Sequence, residues 1–277
     1  MNSFITIQEK EYLKELKDIL KLGKSLFKNS QIGAYSKSYK KNFIFFTFVV
    51  IHNYSEAIYI LCKNSRPHAS YVLLRSIFEA YVNMLYFTNT NSNLPLAKYV
   101  ILDFKERIKT LNNFKEFIKK YPSWKDKYEI TNLSNLDNLI SKQNKNIEAV
   151  KKGNKFYRTT KIEKLLRERA KAYDQKTRNK GELEFNYILI YKYFSLFTHL
   201  TPTGIEHFLK KERGKTKYEI SQAKDVEPII ATTFGFYKRL LDHLKKKKII
   251  PKNIKLCKFN KIIKRMQKHS ESYEIPL

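Results

Sequence analysis

Three apolar segments of the chain carry polar side chains at helical spacing. Residues three or four apart lie on one face of a helix, so each set forms a polar stripe on an otherwise apolar helix. The stripes are His52 with Glu56; Arg75 with Glu79 and Asn83; and Lys192 with Ser195 and His199. Because a buried charge is costly unless it is paired, we expect the three stripes to face one another in one polar cluster. The alternative is that each stripe faces solvent.

These residue types have the chemistry of metal-independent RNA cleavage. A histidine titrates near neutral pH and can move a proton, and a guanidinium can hold a phosphate by two contacts. In such a reaction one group takes the proton of the 2′-hydroxyl and an acid protonates the leaving oxygen, while a cation stabilises the charge that develops on the phosphate. Serine can orient either group.

Other chemistries have less support in the sequence. Two histidines and two glutamates could bind iron or zinc, but neither paired Glu-x-x-His motifs nor His-Glu-x-x-His occurs. The chain also has no Walker loop, no GxGxxG and no GxSxG. We therefore predict that the protein uses no metal and no cofactor.

The elements that position the stripes are predicted to be long helices. Only seven glycines and seven prolines interrupt 277 residues, and apolar residues recur with the helical period. Ser65 followed by Pro67 marks one helix start. The pattern predicts an all-α helical bundle with helices at about 5–29, 41–63, 67–87, 96–120, 134–151, 161–173, 182–200 and 223–247.

Composition along the chain predicts three parts. Residues 1–120 and 182–247 together are expected to form one helical bundle domain. Residues 121–181 are polar and rich in asparagine and lysine, and we interpret them as a helical insertion or cap. Residues 248–277 form a basic C-terminal tail.

The net charge of +29 indicates a polyanionic partner, because counterion release drives such binding. We expect nucleic acid, RNA in preference to DNA, with an anionic membrane surface as the main alternative. A lysine-rich genome would be the trivial explanation. The candidate nucleic-acid-binding residues lie in the basic C-terminal region: Lys245, Lys246, Lys247, Lys248, Lys261, Lys264 and Arg265. The alternative is that this region is only a charged, solvated terminus.

The sequence predicts a cytoplasmic protein that does not enter the membrane. Cys62 and Cys257 make no disulfide framework, and the N-terminus lacks the pattern of a signal peptide. Residues 42–62 are long enough to span a membrane, but His52, Asn53, Ser55 and Glu56 interrupt them, so we predict a buried helix.

Two motifs of the chain resemble a known family. RSIFEAYVNMLY, with Arg75 and Glu79, and YKYFSLFTHLTP, with Ser195 and His199, are similar to an uncharacterised bacterial all-helical family, domain of unknown function 5677, over about 40–210. That family distantly resembles HEPN domains, helical bundles common in bacterial toxins and phage defence, many of which are dimeric ribonucleases. The resemblance implies a homodimer and a protein partner from a defence or toxin–antitoxin operon.

The chain departs from the HEPN pattern at one position. HEPN nucleases carry Arg-x(4–6)-His, whereas here Phe194 stands five residues before His199. Only His199 and its polar neighbour Ser195 match, and Arg75 or Lys192 would supply the missing cation. Two other pairs, Arg239 with His243 and Arg265 with His269, are spaced one residue too closely, and we interpret them as solvated charges.

We therefore predict a HEPN-like defence or toxin-type protein that acts as a metal-independent endoribonuclease. His199 would transfer the proton, Arg75 and Lys192 would bind phosphate, and Glu79 would orient Arg75 or His52, with Glu56 and Ser195 in the same cluster. The alternative is a helical module without catalytic activity that binds nucleic acid or a protein partner.

Overall fold

The computed structural model describes residues 6–29, 38–90, 92–123, 134–177, 180–192, 195, 209–212, 215–218 and 226–250. These residues form mainly helices, which confirms the predicted all-α class. The elements are α1 (Ile7–Asn29), α2 (Tyr39–Lys63), a 3₁₀ turn (Pro67–Ala69), α3 (Ser70–Thr88), α4 (Leu94–Lys120), α5 (Ser134–Lys152), α6 (Leu166–Thr177), α7 (Glu182–Asn186), a π-helix (Tyr187–Lys192), β1 (Leu209–Glu212), β2 (Lys215–Tyr218) and α8 (Val226–Lys246).

Local capping chemistry explains where several helices begin. At the start of α1 the Thr6 hydroxyl accepts from the Glu9 amide at 3.1 Å, and the Glu9 carboxylate accepts from the Thr6 amide at 2.6 Å. This reciprocal pair is a capping box, which satisfies amide groups that have no partner inside the helix. Pro67 opens the 3₁₀ turn before α3, in agreement with the predicted start.

The chain folds into two compact units, residues 1–86 with 165–277 and residues 87–164. These boundaries differ from the predicted division, which grouped 1–120 with 182–247 and set 121–181 and 248–277 apart. Whether those three parts are separate domains stays a prediction.

In the first unit, α1, α2 and α8 pack against one another. Their contact faces carry fully buried side chains such as Leu16, Ile51, Ile58 and Phe234. Burial of each such side chain stabilises the fold by about 1.5–3 kcal/mol before the entropy cost. The first and last described helices of the chain therefore share one core.

In the second unit, α4 packs against α5. A small core forms from Ala97, Ile101, Ile147, Val150 and Tyr157. Both helices are amphipathic, so their polar faces are left to solvent.

Residues 209–212 and 215–218 form two short antiparallel strands that the sequence did not predict. Leu209 pairs with Tyr218 and Glu212 with Lys215 in the register of β1 and β2. The segment LKKERGKTKY is mostly charged, so it shows no alternation of apolar and polar residues that would predict strands. Gly214, which lies between LKKE and KTKY in the sequence, was the one residue there that favours a turn.

Helix α2 has two distinct faces. Ile51 and Ile58 are buried, whereas Tyr39, Phe46, Val50 and Ile60 are 43 %, 51 %, 38 % and 56 % exposed. These four exposed side chains fall within an arc of about 80° on a helix that turns about 100° per residue. Among the described helices, α2 alone is long and apolar enough to span a membrane by length and composition.

Candidate functional site

Arg75 of α3 is held by an aromatic side chain. Its Nη2 donates to the Tyr191 hydroxyl at 3.0 Å, and its guanidinium carbon lies 4.4 Å from the centroid of the Tyr191 ring. Tyr191 in turn stacks on Tyr187, with ring centroids 5.2 Å apart and planes 18° apart. A cation over an aromatic face is stabilised by the ring quadrupole. The arrangement fixes the position of the guanidinium.

Tyr191 also connects Arg75 to Ser195. The Ser195 hydroxyl donates to the Tyr191 backbone carbonyl, so both predicted residues bind the same tyrosine. Tyr191 lies in the π-helix Tyr187–Lys192. A π-helix is rare and frequently occurs at functional sites, because its wider turn changes which side chains share a face. Lys192, the last residue of this element, is exposed.

The rest of the α3 stripe is split between burial and exposure. Asn83 is buried, and its side-chain oxygen accepts from Arg169 Nη1 of α6 at 2.6 Å. Glu79 is exposed, in contrast to the place in a buried cluster that we expected. Both Arg75 and Asn83 therefore bind side chains from the segment 166–191.

His52 contacts both Glu56 and a tyrosine of α8. The His52 Nε2 lies 3.4 Å from a Glu56 oxygen, and its Nδ1 lies 2.6 Å from the Tyr237 hydroxyl. The carboxylate favours the tautomer with its proton on Nε2, so the Tyr237 hydroxyl donates to Nδ1. Burial lowers the pKa of His52, although the Glu56 charge opposes this effect. These contacts are typical of a histidine that ties helices together, and they favour a structural role.

The Tyr237 ring reaches α1 at a glycine. Tyr237 is fully buried, and a Cβ atom added to Gly23 would lie 1.8 Å from its hydroxyl oxygen. Burial raises the pKa of Tyr237 above its usual range, so the hydroxyl keeps its proton. The contact joins α1, α2 and α8 at one point, and only glycine leaves room for it.

A basic cluster lies in the first unit, formed by Lys40, Lys176, Lys246 and Lys247. Partial burial lowers the pKa of Lys40, and the charges of Lys247 and Lys176 lower it further. The start of α2 and the ends of α6 and α8 are therefore close enough to repel. The sequence predicted Lys246 and Lys247 but missed Lys40 and Lys176, because those lie far away along the chain.

His243 stands next to this basic cluster. Burial and the charges of Lys247 and Lys246 lower the pKa of His243 to about 4. Its Nε2 atom is buried and makes no hydrogen bond. The interpretation of His243 as a solvated charge is therefore wrong, since the ring is partly buried and its lowered pKa keeps it neutral near pH 7.

Acidification is expected to destabilise the protein through His243. The folded state binds this proton only near pH 4, whereas the unfolded chain binds it near 6.5, so stability present above pH 6.5 is lost as the pH falls. The full effect is on the order of 3 kcal/mol. Urea denaturation between pH 7.5 and 4.5 measures it. Lys247→Gln should flatten the dependence and Lys248→Gln should not; equal curves for both variants would contradict the assignment.

Several predicted residues lie outside the described residues, namely His199, Lys261, Lys264 and Arg265. Lys245 and Lys248 lie at the end of α8 and just beyond it. Within the described residues, no group of three His, Cys, Asp or Glu side chains is placed to hold a metal ion.

The fold and these contacts define a helical bundle protein with an arginine fixed beside a π-helix. The chain belongs to the family of unknown function DUF5677, whose model matches residues 41–217. This confirms the family resemblance seen in the two motifs, and the matched range contains Arg75, Tyr191 and Ser195. The relation to HEPN domains stays a prediction. No curated protein and no solved structure matches the chain.

Proposed function

We propose that the protein acts on RNA in the bacterial cytoplasm, as a defence or toxin-type endoribonuclease that needs no metal. The basic cluster in the first unit is the observation that supports RNA binding. Cleavage is the further step, and it rests on the contact of Arg75 and Ser195 with Tyr191.

The electrostatics of the basic cluster support a polyanionic ligand. Beside partial burial, the charges of Lys247 and Lys176 both lower the pKa of Lys40. Lysines that repel one another raise the free energy of the unbound protein. A phosphate backbone bound across them relieves this repulsion and releases counterions, so binding is expected to depend steeply on salt.

Neutralising the basic cluster is expected to weaken RNA binding. In the triple variant Lys40→Gln, Lys176→Gln, Lys247→Gln, the slope of log K against log salt should fall by about 2, since each contact to single-stranded RNA contributes about 0.7. Fluorescence anisotropy with a labelled oligonucleotide at several salt concentrations measures this.

The matched control removes the same charge from another surface. Lys14, Lys17 and Lys21 are exposed on α1, and their triple glutamine variant should keep most of the salt slope. If the two triple variants weaken binding equally, only the net charge matters and the basic cluster is not the site.

The proposed cleavage is a transesterification. His199 takes the proton of the 2′-hydroxyl while the 2′-oxygen attacks phosphorus. The bond from phosphorus to the 5′-oxygen breaks and that oxygen takes a proton from solvent water, to which His199 returns the proton that it gained; the products are a 2′,3′-cyclic phosphate and a 5′-hydroxyl. Arg75, oriented by Tyr191 and by Glu79 one turn away, stabilises the phosphoryl charge, with Lys192 as a second cation and Ser195 as a hydrogen-bond donor.

Binding without cleavage is the second candidate. The guanidinium of Arg75 contacts both the hydroxyl and the ring of Tyr191, as expected of an arginine that only fixes helix packing. Incubation of purified protein with RNA in EDTA separates the candidates, because an endoribonuclease shortens the RNA and a binding module only retards it on a gel.

We also propose a homodimer and a protein partner from a defence operon. The outward face of α2, with Tyr39, Phe46, Val50 and Ile60, supports the homodimer because these positions bear no charge in a strongly basic chain. A second copy offers the same uncharged face for isologous packing. Sedimentation of the chain, whose mass is 33.1 kDa, measures this state.

A further inference from the structure

The turn between α5 and α6, in the second unit, presents an exposed aromatic ring. Phe156 is 72 % exposed, the largest value for an aromatic side chain among the exposed residues of the described ranges. Its neighbour Tyr157 is only 8 % exposed and packs in the core with Ala97 and Ile101. The backbone therefore buries the ring of Tyr157 and directs the adjacent ring of Phe156 outward.

Hydrogen bonds hold the turn in this conformation. The Tyr157 amide donates to the Asn154 carbonyl at 3.1 Å. The hydroxyls of Thr159 and Thr160 both donate to the Phe156 carbonyl at 3.1 Å. A ring on so constrained a backbone loses little conformational entropy when it binds a ligand.

A lysine of α4 forms hydrogen bonds with the C-terminal part of the turn. Lys98 Nζ donates to the carbonyl of Arg158 at 3.2 Å and to that of Thr160. Its ammonium group also adds a positive charge beside the turn. Contacts within the turn and contacts from α4 therefore both hold the backbone in the conformation that exposes Phe156.

The surroundings of Phe156 are strongly basic. Arg158 Nε donates to the Tyr157 hydroxyl at 3.3 Å, so the guanidinium is fixed two residues beyond the exposed Phe156. This hydrogen bond lowers the pKa of Tyr157, and the charges of Lys151, Arg158 and Lys105 lower it further. Basic side chains follow at short intervals along this segment: Lys151, Lys152, Lys155, Arg158, Lys161 and Lys164.

We propose that the turn 153–160 binds single-stranded RNA, with a base stacked on Phe156 and the flanking phosphates on Lys155 and Arg158. This inference rests on the proposed function for the class of its ligand. An aromatic ring among cations is the arrangement that binds single strands, because every base has a face to stack and every linkage has a charge. In a duplex the base faces are covered by their neighbours, so this site selects unpaired RNA.

The test places a fluorophore at the stacking position. The chain has one tryptophan, Trp124, so Phe156→Trp in a Trp124→Phe background reports on the turn alone. Oligouridine of 12 nucleotides should quench this fluorescence, and a duplex of the same length should not. Phe156→Leu, which keeps an apolar side chain, should weaken binding at least about fivefold. Phe185→Leu, which changes an exposed ring in the first unit, should not.

Each other outcome overturns the proposal in a distinguishable way. If RNA binds with the salt dependence of the basic cluster but leaves the fluorescence at position 156 unchanged, the turn is not a site and the proposed function stands. If RNA changes neither the fluorescence at position 156 nor the anisotropy of the labelled oligonucleotide, both proposals fail. If anionic vesicles change the fluorescence and RNA does not, the turn contacts lipid.

Discussion

The Gly23→Ala variant is expected to lose about 2–4 kcal/mol of unfolding free energy. Alanine in a helix normally stabilises by about 1 kcal/mol relative to glycine. Here the added methyl group would lie 1.8 Å from the hydroxyl of the fully buried Tyr237, and overpacking a rigid core costs about 1–3 kcal/mol. Displacing the ring also breaks its hydrogen bond to His52, and a buried polar group without its partner costs about a further 2 kcal/mol. Equilibrium urea unfolding measures the change.

A second glycine of the same unit provides the control. A Cβ atom at Gly235 of α8 meets no atom within 4 Å, so Gly235→Ala should be neutral or slightly stabilising. Combining Gly23→Ala with Tyr237→Phe should cost less than the two single changes together, because the clashing oxygen is gone. If Gly23→Ala proves as stable as Gly235→Ala, the close approach at Tyr237 is not real.

The His199→Ala variant is expected to lose RNA cleavage by about 100-fold or more, the usual contribution of a positioned general acid or base. RNA binding should be unchanged, because the basic cluster is untouched. Product analysis on denaturing gels in EDTA measures the rate, and treatment with acid and phosphatase detects the cyclic phosphate end. His269→Ala provides the matched control, since that histidine also follows an arginine but at the shorter spacing.

Substitution of Arg75 by lysine distinguishes the effect of its charge from that of its planar geometry in the same cleavage assay. Arg75→Lys keeps the cation but loses the planar contact with the Tyr191 ring, so it should retain RNA binding and lose most cleavage. Full cleavage by His199→Ala would remove that histidine from the mechanism. A wild-type protein that binds RNA and leaves it intact would favour the binding module.

Much of the fold was predictable because it depends on local pattern. The helices expected at 41–63, 96–120 and 134–151 are observed at Tyr39–Lys63, Leu94–Lys120 and Ser134–Lys152. In each case apolar periodicity fixes the buried face, and turn formers fix the ends. The strands 209–212 and 215–218 were missed because they bear charges, and pairing rather than hydropathy defines them.

The partners of the polar residues were not predictable in the same way. Arg75 binds Tyr191, which counts as an apolar residue in a periodicity argument although its hydroxyl and its ring both attract a cation. His52 binds Tyr237, 185 residues further along the chain, and no local pattern reports so distant a pairing. Spacing identifies which side chains share a face, whereas the packing of helices decides what that face meets.

The packing of α8 on α1 and α2 has a consequence for how the protein folds during synthesis. The core of the first unit needs α8 against α1 and α2, yet the second unit, residues 87–164, is translated between them. At about 5–20 residues per second, α2 waits roughly 8–35 seconds on the ribosome before α8 emerges. The second unit is continuous in sequence and can fold in that interval, whereas the faces of α1 and α2 that α8 buries remain accessible to chaperones until α8 has been synthesised.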